Sequence, residues 1–127
     1  MHKYRELNVW QKAMAFTVEI YRESQKWPAD ERYGLISQIR RATYSIPLNI
    51  AEGARNSSKQ EFCRFLQYAL RSTYETMTAI DIARGLSYIP DQRADNLLNE
   101  ADKIAAMTVG LMKSMGWKST THTKKKN

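Results

Sequence analysis

Only one cysteine, Cys63, occurs in the 127 residues. It has no partner for an intramolecular disulfide, so no disulfide framework holds this fold. The two histidines, His2 and His122, lie near opposite ends. With a single cysteine they do not make up a typical structural zinc site, and neither falls where a bundle di-iron site would need its Glu-x-x-His pairs. Apolar runs never approach the 18 or more residues of a transmembrane helix. The N-terminus (Met1-His2-Lys3-Tyr4-Arg5-Glu6) leads straight into an amphipathic pattern without a hydrophobic signal core, which makes a reducing cytoplasm the expected location. The five glycines are scattered, and no Walker or other Gly-rich phosphate loop is present. Ser45 and Cys63 have no histidine on a neighbouring predicted element to activate them. No catalytic residue, metal or cofactor is therefore implied, and the expectation is a protein that is not an enzyme.

The chain does carry basic charge and long helical periodicity. Its 20 Lys+Arg against 13 Asp+Glu give a formal charge of +7. Lys118, Lys124, Lys125 and Lys126 supply four of those charges in the last ten residues, where no acid occurs, leaving 16 basic and 13 acidic side chains over residues 1–117. The division is a helical body over 1–117 and a polar, basic tail over 118–127, for which disorder is expected.

The few prolines and glycines punctuate four segments with helical spacing. The first runs from about Asn8, a plausible N-cap, to Lys26, and Trp27-Pro28 ends it. On a helical wheel its apolar residues, among them Val9, Phe16 and Val18, fill roughly 200°, about twice what an ordinary surface helix needs. Val9, Phe16 and Val18 are accordingly placed at an oligomer interface. Glu19 and Glu23 fall on the opposite arc, read as a solvated charged face. The second segment starts near Asp30 and reaches Gly53, with Pro47 inside it, which predicts a kink or break near Ser45–Pro47 and a left-handed C-cap at Gly53. The third is announced by Ser57/Gln60 and Ser58/Glu61, two overlapping capping-box patterns, and ends around Gly85. The fourth opens at Pro90-Asp91, has nearly coiled-coil apolar spacing and stops at Gly116. Four long helices with short connections predict an all-α, antiparallel up-down-up-down bundle, kinked at Pro47.

Basic residues off the core faces are the remaining signal. Arg64 and Arg71, seven apart, project from one side of the third helix beside Tyr68 and Glu75. Arg40 and Arg41 are adjacent on the second helix, and Arg55 follows Gly53. Such arginines can hold phosphates, and tyrosines beside them can stack on bases. The alternative is surface solubility with local ion pairs such as Arg71–Glu75.

The stretch from Arg40 to Arg55 (RRATYSIPLNIAEGAR), with Asn8-Val9-Trp10-Gln11-Lys12-Ala13 upstream and Tyr33-Gly34-Leu35-Ile36-Ser37-Gln38-Ile39 between, strongly resembles a bacterial four-helix-bundle family. Its members are encoded in intervening sequences of large-subunit ribosomal RNA genes. The resemblance covers about Tyr4 to Met115. Leu48 departs from it, standing where a small polar residue is more usual, and the tail has no counterpart. The resemblance implies a bundle assembled as a ring-like homopentamer and no enzymatic activity. Related accessory variability determinants of diversity-generating retroelements are basic and bind a reverse transcriptase and nucleic acid. Two functions are thus expected. The first is an oligomeric scaffold binding RNA or DNA through Arg40, Arg41, Arg55, Arg64 and Arg71, aided by Lys124, Lys125 and Lys126, with little sequence specificity. The alternative is an adaptor docking a reverse transcriptase or another polymerase through an apolar helix face. Within the motif, Ser45, Asn49 and Glu52, with Arg41, are expected to form a polar cluster around the carbonyl freed by Pro47, with Gly53 closing the helix.

Overall fold

The computed structural model describes residues 3–55 and 58–118. Lys124, Lys125 and Lys126 lie outside them. Four α-helices follow one another: α1 (Asn8–Ser24), α2 (Leu35–Ala54), α3 (Lys59–Gly85) and α4 (Asp91–Ser114). Short 3-10 turns at Tyr4–Glu6 and Ala29–Glu31 precede α1 and α2. Among the described residues no helix is long and apolar enough to cross a membrane.

Each helix end has a local cause. Leu7, in extended conformation, precedes α1, and Asn8 is its first helical residue rather than its cap. The second helix begins later than the Asp30 signal suggests. The chain first turns through Ala29–Glu31, and the Glu31 carboxylate then accepts the amide proton of Leu35 at 3.0 Å. Gly34 makes this possible, because a Cβ there would stand 2.7 Å from Glu31 Oε1. Ser58 caps α3 by accepting from the Glu61 amide at 3.2 Å, as the capping-box pattern predicts. Both α3 and α4 end in the same C-terminal motif. Ser87 (φ 63°) and Gly116 (φ 92°) are left-handed, and the next amide, Tyr88 or Trp117, reaches back to Ala83 or Met112.

The core is one continuous cluster in which Phe16, Ile39, Ile50, Phe62, Leu97 and Ile104 are almost fully enclosed. Four threonines, Thr43, Thr73, Thr76 and Thr108, are buried among these side chains. Each donates to the carbonyl four residues earlier, at 2.6–2.9 Å, so the hydroxyls are not left unsatisfied.

Connected helices meet end to start. Gly53 near the end of α2 lies against Phe62 and Phe65 at the start of α3. The Cys63 thiol approaches the Met112 carbonyl at 3.9 Å, while Arg84 bonds Asp95 at 2.8 Å at the other end of the same helix pair. Burial pushes the Cys63 thiol above its ordinary 9.0, consistent with a small buried hydrophobe rather than a nucleophile.

The sequence-based reading is revised at three places in this frame. Of the kink or break expected near Ser45–Pro47, the break does not occur: α2 runs through Pro47 as one helix, Pro47 itself being buried. Gly53 lies inside α2, not at a left-handed cap; its role is close approach. Val9 and Phe16 are covered by the chain's own helices, at 4% and 2% exposure, so they present no surface to a neighbouring subunit. The wide arc of α1 is used partly inside the bundle, because α1 packs against both α2 and α4. Val18, at 44% exposure, stays on the surface.

One tie between the two loops at one end of the bundle is titratable. Tyr88 donates its phenol to Glu31 Oε2 at 2.8 Å. The Leu35 amide and then the Tyr88 hydroxyl hold the Glu31 carboxyl below its ordinary 4.5, and the bond to Glu31 raises the Tyr88 phenol above 10.0. A depressed carboxylate contributes stability above its unfolded value, and that stability is lost as pH falls through the folded value. A raised phenol contributes below its unfolded value and loses it as pH rises through the folded one. Thermal melts of the wild type and Glu31→Gln should therefore differ most between about pH 5 and 9 and converge as the pH falls below about 4. A constant difference down to pH 3 would contradict this role for Glu31.

Candidate nucleic-acid interface

The sequence-predicted arginines occupy the solvent sides of two adjacent helices and do not share one fate. On α3, the Arg64 guanidinium contacts Glu61 at 2.6 Å and donates to the Tyr68 hydroxyl at 2.9 Å. It also lies 5.3 Å from the Phe65 ring centroid and 5.7 Å from that of Tyr68. Arg71 lies 5.6 Å from the Tyr68 ring. Tyr68 thus lies between two guanidinium groups, one turn before and one turn after it, a cation–aromatic ladder along the outside of α3. The hydrogen bond from Arg64 holds the Glu61 carboxyl below its ordinary 4.5. One of the two α3 charges is therefore locally neutralised. Arg71 is not: the anticipated Arg71–Glu75 pair does not form, and Arg71 has no ion pair among the described residues.

Arg41 on α2 and Arg55, the residue after its last turn, are exposed and make no ion pair among the described residues. They are fourteen residues apart, four helical turns, and so lie on one stripe about 21 Å long. Arg40 has a different task. Its Nε donates to Ser24 Oγ at 2.9 Å, its Nη2 donates to the Tyr21 carbonyl at 3.1 Å, and its guanidinium lies 4.5 Å from the Tyr21 ring centroid. It caps the C-terminus of α1, where a cation also meets the negative end of the helix dipole. Arg40 is thereby a positioning residue for the α1–α2 pair.

The polar residues of the Pro47 region are arranged in sequence along α2. Ser45 donates to the Arg41 carbonyl and Asn49 Nδ2 donates to the Ser45 carbonyl, both at 2.8 Å. Both are bonds to the carbonyl four residues earlier, two residues to either side of Pro47, and neither reaches the Thr43 carbonyl that Pro47 leaves without its amide. Asn49 is half-buried and Glu52 exposed.

A family model described as 23S rRNA-intervening sequence protein matches residues 5–110, which include α1 to α3 and most of α4. The chain belongs to this family. A solved structure from the S23 ribosomal protein family of Bacteroides thetaiotaomicron, a protein with unknown function, superimposes with a TM-score of 0.77. It is 24% identical, over 83% of this chain and 95% of that one, and the likeness is one of fold. No curated protein matches.

For an intervening-sequence protein of this fold, the sequence missed two features. Glu23 belongs to no solvated face. It is 3% exposed, and Arg93 of α4 binds it through Nε at 3.4 Å and Glu19 through Nη2 at 3.1 Å. Nothing local signals this, because Arg93 is seventy residues away. The second is a groove between α1 and α2. One part, about 400 Å³, is lined by Tyr4, Trp10, Met14, Thr17, Tyr21, Tyr44, Pro47, Leu48 and Ala51. It shares Thr17 and Tyr21 with a second part of about 680 Å³, lined also by Val18, Arg22, Gln25 and Arg40. Leu48 lines this groove at 61% exposure.

Proposed function

We propose that this protein is a non-enzymatic oligomeric scaffold, a homopentamer by its family resemblance, that binds nucleic acid through the arginines on the outer faces of α2 and α3. The observation that carries this reading is the Arg64–Tyr68–Arg71 ladder on α3, together with Arg41 of α2 and Arg55 just after it, which make no ion pair among the described residues. Guanidinium groups without carboxylate partners, such as that of Arg71, are free to take phosphate oxygens. The contacts are to backbone phosphates, and the sequence preference is weak. Oligomerisation multiplies the effect: a body excess of three positive charges becomes about +15 over five copies.

The test is a salt titration with single-stranded and duplex RNA and DNA. Binding should weaken linearly on a log–log plot, and Arg41→Ala/Arg55→Ala/Arg71→Ala should flatten the slope by about 2–3. A chain ending at Trp117 should retain this arginine-dependent part. Absence of binding at about 50 mM salt, or a slope indifferent to the three arginines, overturns the proposal.

A further inference from the structure

The groove between α1 and α2 is aromatic inside and cationic at its edge. Trp10, Tyr21 and Tyr44 line it together with Met14 and Leu48, and no carboxylate is among its lining residues. Arg22 and Arg40 stand at one end. Arg22 is exposed and has no ion pair among the described residues. Arg40 is held by a hydroxyl and a carbonyl, neither of which cancels its charge. Along α2 the wall of the groove runs into the phosphate contacts of the proposed function. Arg41, Tyr44, Leu48 and Arg55 are spaced by three, four and seven residues, so at about 100° per residue they fall within about 60° of one another. Tyr44 and Leu48 therefore lie between two guanidinium groups on one stripe. Tyr44 is 41% exposed, and no hydrogen bond, ring contact or cation occupies it among the described residues. The pocket between α2 and α3 is different, because it holds Glu75 beside Arg71, and the Tyr68 ring at its end already has two guanidinium groups near it.

We infer that the α1/α2 groove takes the bases of a single-stranded nucleic acid whose phosphates are held by Arg41 and Arg55, with Tyr44 as the ring on which a base stacks. The inference rests on the phosphate binding of the proposed function and adds the class of nucleic acid and the seat of its bases. A single strand presents flat apolar faces and a line of negative charge together, and a cationic groove with exposed aromatic side chains meets both. Stacking accepts any base, since every base has such a face, so it keeps the sequence preference weak. A duplex keeps its bases inside its own stack and offers this surface only phosphates. An apolar protein helix would fill the same groove but would make no use of its cations. The absence of an acid from the lining, and the continuity of the groove with Arg41 and Arg55, favour the polyanion.

The experiment compares three probes of about ten nucleotides on the full chain: a mixed-sequence single strand, a sugar-phosphate strand of the same length without bases, and a duplex. The wild type should bind the natural strand about tenfold or more tighter than the baseless one, which has the same charge. Tyr44→Ala should bring the two strands together, leave duplex binding as it was and leave the salt slope unchanged, because no charge is removed. Tyr44→Phe keeps the ring and should behave as wild type. Unchanged helical circular dichroism checks that both variants fold. If the wild type binds natural and baseless strands alike, the bases have no seat; the groove is then left to a protein surface, and the inference is overturned while phosphate binding stands. A preference for the natural strand that Tyr44→Ala does not reduce, or a loss that extends equally to the duplex, also overturns it. A wild type that binds none of the three at about 50 mM salt overturns this inference and the proposed function together.

Discussion

Arg93→Ala should cost about 3 kcal/mol of folding stability, measured by urea denaturation at neutral pH. Arg93 joins α4 to two carboxylates of α1, and they differ in environment. Glu19 is substantially exposed, and its pair with Arg93 contributes no more than about 1 kcal/mol, because water already solvates both charges. Glu23 is 3% exposed, and after the substitution Lys26, 3.9 Å away and itself largely in solvent, is the one cation left paired with it among the described residues. A carboxylate kept from water without its guanidinium partner is the costly case, commonly about 3–5 kcal/mol, and the partial exposure of Arg93 places this one at the lower end. Glu19→Ala, by contrast, should change stability by under about 1 kcal/mol. The double variant Glu23→Leu/Arg93→Met should recover most of the loss, because it removes the buried charge along with its partner. An Arg93→Ala variant within about 0.5 kcal/mol of wild type would show that Glu23 reaches water by another route.

The second large effect is expected at Gly53. Gly53→Ala should destabilise by about 2 kcal/mol, even though alanine is favoured over glycine inside a helix by up to about 1 kcal/mol. The added Cβ would stand 2.8 Å from Phe65 Cβ, 2.9 Å from Phe62 Cδ1 and 3.2 Å from the Phe62 carbonyl oxygen. Two of these are not the ends of flexible chains, and the third is a ring that is 1% exposed. Relief therefore means moving α2 away from the start of α3, and overpacking of this kind outweighs the propensity gain. Gly110 separates the two effects. It lies exposed within α4 with nothing within 4 Å of a Cβ, so Gly110→Ala should stabilise by about 0.5–1 kcal/mol. Thermal or urea denaturation of both variants gives the sign in each case, and a stabilised Gly53→Ala would refute the close-approach role.

These two sites mark where reading along the chain succeeds and where it stops. The 3.6-residue apolar period, the Ser58 cap and the Gly116 stop are local. Each depends on residues within a few positions, and the structure has helices where they indicate. Of the kink or break predicted at Pro47, the break did not follow: α2 continues through Pro47 as one helix, with Pro47 buried. Gly53 was legible as a special position but for the wrong reason: a glycine at a helix end signals a cap, and only the approach of Phe62 and Phe65 reveals the need for a missing side chain. Arg40 and Arg41 look equivalent as neighbours in the chain. A rotation of 100° around α2 aims one at the end of α1 and the other at solvent.

By itself, then, the sequence determined an all-helical chain of four elements, the absence of disulfide support, a basic excess shared between body and tail, and the motif that places the chain in its family. These follow from periodicity, composition and near-neighbour chemistry, which are properties of a chain read in order. The tertiary structure decided which apolar residues of α1 are core and which remain outside, separating Val9 and Phe16 from Val18. It also decided which arginines are occupied and which have no ion pair among the described residues, and that Glu23 is enclosed. Burial and pairing depend on what a second and third helix bring to a surface, and those helices come from residues dozens of positions away.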